Sequence, residues 1–272
     1  MTVIATTREL GTLGNDVAVR VAGELGLDVV HDELVERHLA ERLQLSESEL
    51  RRFLEGEMSI WERWKIDRRR VSQFTAGQIL ALAQKGNVLI RGWGAAQLLQ
   101  DVAHVICVRI CAPMPFRIAT IRRRLQLADG AAAEREVERS DDAHGRTVRA
   151  VYDADWRDPA GYALVLNTGR MSVETAADLL VRLARTRRYA ETPEIRQRLD
   201  DKLLLARIHE ALDAAGAPGL GLDIEVRSGI VTVAGALVAN VNIERVIDAI
   251  RDVEGVRSVH NEVHIVPFNL GA

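Results

Sequence analysis

The residues best suited to chemistry in the first half of the chain form a glycine turn, Arg8-Glu9-Leu10-Gly11-Thr12-Leu13-Gly14-Asn15-Asp16. It lies between a short apolar run and an amphipathic one. Backbone N–H groups in such a turn, backed by the dipole of a following helix, attract phosphate. A complete phosphate loop adds a lysine for the β- and γ-phosphates and a following Ser or Thr for Mg²⁺. This turn has neither, so on its own it reads either as a weakened phosphate site or as a plain tight turn.

Other candidate groups are scattered. The runs Arg68-Arg69-Arg70 and Arg122-Arg123-Arg124 are able to meet phosphates, but acidic neighbours balance them and they read as solvated helix faces. Trp61 and Trp64, at helical spacing, read as packing. Cys107 and Cys111 lie on one apolar strand run, about 13 Å apart on the same face, too far for a disulfide. No neighbouring Cys or His completes a metal set, and His260 and His264 lack a third partner, so no metal site is expected. The cysteines imply a reduced, cytoplasmic chain.

The bulk numbers exclude several function classes. The 272 residues carry 36 basic and 39 acidic side chains, a net charge of −3, with 4% aromatic residues. Nucleic-acid binding, which needs a basic face or stacking aromatics, is not expected. No uncharged apolar run reaches eighteen residues, so no membrane span is expected. The N-terminus reads as a first strand rather than a signal peptide.

The elements that must position these groups follow from periodicity. Short continuous apolar runs at 3–5, 27–30, 87–90, 105–111 and 162–166 alternate with helical stretches, the pattern of a parallel sheet covered on both faces. Ser46 and Glu49 form a capping box, and Ser172 caps a helix to Leu183. This gives an α/β domain over 1–186. The stretch 187–198, beginning Arg187-Arg188-Tyr189-Ala190-Glu191-Thr192-Pro193, reads as a linker. A second unit over 199–268 has the order helix-strand-strand-helix-strand, expected as an antiparallel-rich sheet backed by two helices.

The second unit resembles the BON family. Gly229-Ile230-Val231-Thr232-Val233-Ala234-Gly235 is similar to its hairpin strand, and Val253-Glu254-Gly255-Val256-Arg257-Ser258-Val259-His260-Asn261-Glu262-Val263 to its closing signature. The resemblance implies a binding or assembly module with a protein or lipid partner.

The first domain resembles the cytidylate-kinase-like family, a divergent branch of P-loop nucleoside monophosphate kinases. Arg8-Glu9-x-Gly11 is similar to its opening, and Asp32 stands at its acidic position after the second strand. Gly92-Trp93-Gly94-Ala95, Ala112-Pro113 with Arg117, and Asp155-Trp156-x-Asp158-Pro159 through Tyr162 to Asn167-Thr168 are similar to its later motifs. The resemblance implies a P-loop-kinase-like parallel sheet, ATP and Mg²⁺ as cofactors, and a nucleotide held by Arg8, Gly11, Thr12, Gly14, Asn15, Asp32 and Gly92. It implies catalytic lid arginines at Arg117 and Arg149.

The chain departs from the pattern at several sites. Leu13 replaces a glycine, Asn15 a basic residue, Trp93 and His144 arginines, and Ala163 an aspartate, and no carboxylate follows Ile90. The expectation is a degenerate nucleotide-kinase-like protein, nucleotide-binding or regulatory, in which a homo-oligomer is compatible with the assembly role. The alternative is an active CMP-type kinase.

Overall fold

The computed structural model describes residues 1–30, 46, 48–49, 68–92, 94–217, 221–238 and 242–266. They form two compact units, Met1–Glu191 and Thr192–Ala272. In the first unit the chain runs β1 (Val3–Arg8), α1 (Gly14–Leu25), β2 (Asp28–Val30), α2 (Arg68–Lys85), β3 (Val88–Arg91) and α3 (Ala95–Leu99). It continues through β4 (Val105–Cys111), α4 (Met114–Arg124), α5 (Gly130–Tyr152), β5 (Leu164–Asn167) and α6 (Val173–Ala184).

All the pairings of this sheet are parallel, in the order β2-β3-β1-β4-β5. Strands buried on both faces must be apolar throughout. Val3, Ile4, Ala5, Leu89, Ile90 and Ile106 are accordingly 0% exposed. Val17, Ala18 and Val21 of α1 and Ala177, Leu180 and Val181 of α6 pack on one face. Because β3 and β4 lie on opposite sides of β1, the connections diverge there. A crevice opens at the carboxyl end of β1, the place where ligands sit in open α/β sheets.

Local signals explain the element ends. Ser46 and Glu49 form the expected capping box: Glu49 N–H donates to Ser46 Oγ at 3.2 Å, and Ser46 N–H to Glu49 Oε2 at 2.9 Å. Ser172 Oγ accepts from Thr175 N–H at 3.2 Å and caps α6. Asp32, Trp61 and Trp64 lie outside the described residues, as does Trp93.

The second unit contains α7 (Pro193–Ala214), β6 (Asp223–Arg227), β7 (Ile230–Val238), α8 (Ile243–Arg251) and β8 (Ser258–Val266). α7 starts six residues before Leu199, inside the stretch read as linker. Thr192 Oγ1 accepts from Ile195 N–H at 3.3 Å and Pro193 occupies the first turn, where a missing N–H costs nothing. The sheet also differs from the antiparallel-rich expectation. β6 pairs antiparallel with β7, but β7 pairs parallel with β8 over nine residues. A helix between two strands brings the chain back in the same direction, so α8 dictates the parallel pairing.

Ile208, Val231, Val233, Val246, Ile247 and Ile250 build a separate core in this unit. Asp201 ties α7 to the β6–β7 turn by accepting from Ser228 N–H at 2.9 Å and Gly229 N–H at 3.3 Å. With its own core and turn, a fragment starting at Thr192 is expected to fold alone. Circular dichroism of that fragment should show mixed α/β content and a cooperative thermal transition; a random-coil spectrum would contradict the boundary.

Candidate functional site

The glycine turn between β1 and α1 is built by close backbone packing. Gly11 has φ +84°, and a Cβ there would stand 2.7 Å from the Arg117 carbonyl oxygen, so only glycine fits. Thr12 is held twice. Its Oγ1 donates to the Glu9 carbonyl at 2.7 Å, and its carbonyl accepts from Thr168 Oγ1.

Leu13 takes the left-handed conformation, φ 56° and ψ 20°, that its glycine counterpart would adopt freely. The backbone shape of the turn is therefore kept at a steric cost of about 1–2 kcal/mol. No side chain caps α1, but Asp16 stands in its first turn and on the cleft, so its carboxylate offsets part of the positive end of the helix. Asn15 Oδ1 is buried with no hydrogen-bond partner.

A cleft of about 430 Å³ opens over this turn. Arg8, Gly11, Thr12, Gly14 and Asn15 all line it, so these five expected residues come together in one place. Leu13, an apolar residue, lines it too. The opposite wall is α4, through Thr120, Ile121, Arg123 and Arg124. The basic run read as a solvated helix face thus has two of its three members lining the cleft, both exposed.

The two residues expected as lid arginines lie elsewhere. The Arg117 guanidinium is buried: its Nε donates to the Leu10 carbonyl at 2.7 Å, and its two terminal nitrogens reach Asp141 at 2.8 and 2.6 Å. Glu9 stands 3.5 Å away and also accepts from Arg109 at 2.6 Å and from Ala112 N–H at 3.2 Å. Arg149 is exposed on the last turn of α5 and is not among the residues of the cleft wall. Gly92 turns the chain after β3 with φ +77°, and its N–H donates to Thr6 O at 3.0 Å, which keeps it beside β1.

Beside Arg117 lies a second group, built around Trp156 and His144, both singled out in the sequence. Trp156 is buried with Arg109 and Arg157 over its ring at 5.5 and 5.4 Å. His144 meets it edge-on at 4.4 Å. His144 is partly exposed by area, but its Nε2 is enclosed and has no partner. Burial holds its pKa down to about 4; Asp141 opposes the fall and Arg8 adds to it.

An unfolded imidazole titrates near 6.5. Between these values the unfolded chain binds a proton that the folded chain rejects, so His144 adds stability that is complete above about pH 6.5 and lost as the pH falls to about 4. The loss is roughly 3 kcal/mol. Denaturant titrations from pH 7 to 4 should therefore show a smaller fall for His144→Phe than for wild type. Parallel falls would contradict this placement.

The donor set at the turn is poor for Mg²⁺, with Asp16 and Asn15 the side-chain oxygen donors left on the cleft. Thr12 Oγ1 is spent on Glu9, the Glu9 carboxylate on arginines and an amide, and β3 ends in the buried Arg91 instead of a carboxylate. Among the described residues no group of three His, Cys, Asp or Glu side chains is placed to hold a metal ion. Nor, among the described residues, is any helix long and apolar enough to cross a membrane.

The model of the cytidylate kinase-like family matches residues 3–170. The chain belongs to the cytidylate kinase-like family. The model of the BON domain matches residues 200–267. Cytidylate kinase of Pyrobaculum aerophilum is 27% identical over 179 residues, 65% of this chain and 89% of that protein. Cytidylate kinase of Pyrobaculum arsenaticum is 26% identical over 184 residues, 66% of this chain and 91% of that protein. Among solved structures, an uncharacterized protein from Eubacterium ventriosum superposes with a TM-score of 0.55 at 18% identity, over 69% of this chain and all of that one. The last likeness speaks to the fold of the cytidylate kinase-like unit alone.

Proposed function

We propose that the first unit is a lapsed nucleotide kinase that keeps a phosphate-binding cleft, and that the BON unit gives the protein a regulatory or assembly role through a protein or lipid partner. The observation that carries this reading is a leucine, Leu13, among the residues lining the cleft, where the family resemblance implies a glycine. The spent metal donors around the turn support it. In this reading Arg8, Gly11, Thr12, Gly14 and Asn15 contact the anion and Arg123 and Arg124 close over it. Arg117 supports the floor, and Arg149 serves only if α5 moves. The setting is cytoplasmic, in keeping with two free thiols.

The second reading is an active kinase that moves the γ-phosphoryl of ATP to CMP with Mg²⁺. The left-handed backbone at Leu13 and the similarity to two cytidylate kinases favour it.

Calorimetric titration with ATP tests the binding site. The expected dissociation constant is in the high micromolar range, roughly −5 kcal/mol, and Mg²⁺ should leave it unchanged. Arg123→Ala with Arg124→Ala should weaken it about tenfold, the loss of charge-assisted contacts. Nanomolar, Mg²⁺-dependent binding would favour the second reading; no binding at millimolar ATP would remove the site from the account.

A further inference from the structure

Two contacts at the floor of the glycine turn come from one buried residue, Arg117. Arg117 donates from Nε to the Leu10 carbonyl at 2.7 Å, and its carbonyl presses against Gly11. Its guanidinium is in turn gripped at both terminal nitrogens by Asp141, which belongs to α5. α5 also reaches the second glycine turn: a Cβ on Gly94 would lie 2.0 Å from Cε2 of Tyr152, the last residue of that helix. One helix of 23 residues is thus seated against both turns, by Asp141 in its middle and by Tyr152 at its end.

We infer that α5 is the element that positions the glycine turn, with Asp141 acting through Arg117 as a positioning residue. A displacement of α5 then moves the turn with it, because a planar guanidinium held by a two-pronged carboxylate and a carbonyl has no slack. Asp141 does not line the cleft, so it acts on the turn without touching the anion. The inference rests on contacts within the chain and does not need a nucleotide to bind.

Hydrogen exchange on the full chain tests it, read in the first minutes, while β5 stays protected. Asp141→Asn removes the charge from the grip. Arg117→Lys keeps the charge but loses the bond to Leu10. In both, the amides of Asp16 and Val17, which donate to the Leu13 carbonyl of the turn at 3.1 and 3.2 Å, should exchange about 10- to 100-fold faster than in wild type, the loss of one charge-assisted bond. A purely structural Asp141 would lower the melting temperature and leave those early rates alone; unchanged rates in either folded variant overturn the inference. If neither variant folds, wild type in rising denaturant decides. Joint loss of protection at Asp16 and Val17 and in α5, ahead of β5, supports the coupling, and loss at Asp16 and Val17 while α5 stays protected refutes it.

Discussion

Asp141→Ala is expected to lower the unfolding free energy by about 3–5 kcal/mol, because it strands the Arg117 guanidinium in the interior without its counter-charge. Arg117 is 3% exposed and Asp141 6%, so water does not reach in to replace the missing partner. The remaining neighbours do not compensate. Glu9 is 3.5 Å away and already engaged with Arg109, and Arg109 and Arg157 add positive charge on the same side. Removing both partners should cost less than removing one. In Asp141→Leu with Arg117→Met neither partner leaves its charge stranded, and Glu9 keeps Arg109, so the loss should shrink by at least about 1 kcal/mol relative to Asp141→Ala. Urea unfolding of the three proteins measures it. Equal losses in the single and double variants would show that the ion pair is not what the site depends on.

The second large effect concerns repair of the glycine turn. Leu13→Gly removes the side chain from the cleft wall and relieves the left-handed strain. Asn15→Arg supplies a cation at the start of α1. Together they should tighten ATP binding by about 10- to 100-fold, the worth of one charge-assisted contact. Turnover should not follow. Phosphoryl transfer depends on positioning and on charge spread over the transferring group, and the parts that supply it act as a unit. With Trp93 and His144 still in place of arginines, and Arg117 bound to Asp141, repairing one part gains little. Adding Trp93→Arg and His144→Arg makes the quadruple variant, to which any phosphate transfer from ATP to CMP, dCMP or UMP should be confined. Turnover in the double variant would mean that the turn alone held the chemistry back.

Much of this site was legible in the residues because the signals are local. The Gly11–Gly14 turn between an apolar run and an amphipathic run located the crevice, and continuous apolar strands gave the covered parallel sheet. The capping residues Ser46 and Ser172 act within three positions of themselves and gave their helix starts. Thr192-Pro193-Glu194 carried the same kind of signal for α7 and was outweighed by the polar composition around it.

What was not legible is long-range. Nothing near Arg117 announces a partner 24 residues on, and burial of that pair depends on how α4 and α5 meet. A basic run looks the same in sequence whether its helix faces water or a cleft. Only the chain's turn at Pro113 brings Arg123 and Arg124 back over Gly14. The parallel β7–β8 pairing was implicit in the helix between those strands, but alternation along each strand carries no direction.

The most direct test of the lapsed-kinase reading is a single assay, phosphate transfer from ATP to CMP by the wild-type chain with Mg²⁺ present. An apolar side chain on the cleft wall, spent metal donors and a locked Arg117 predict no CDP above the protein-free control. Wild-type turnover of about 1 s⁻¹ or more, within the usual range for kinases, would contradict the account and establish the active-kinase reading in its place.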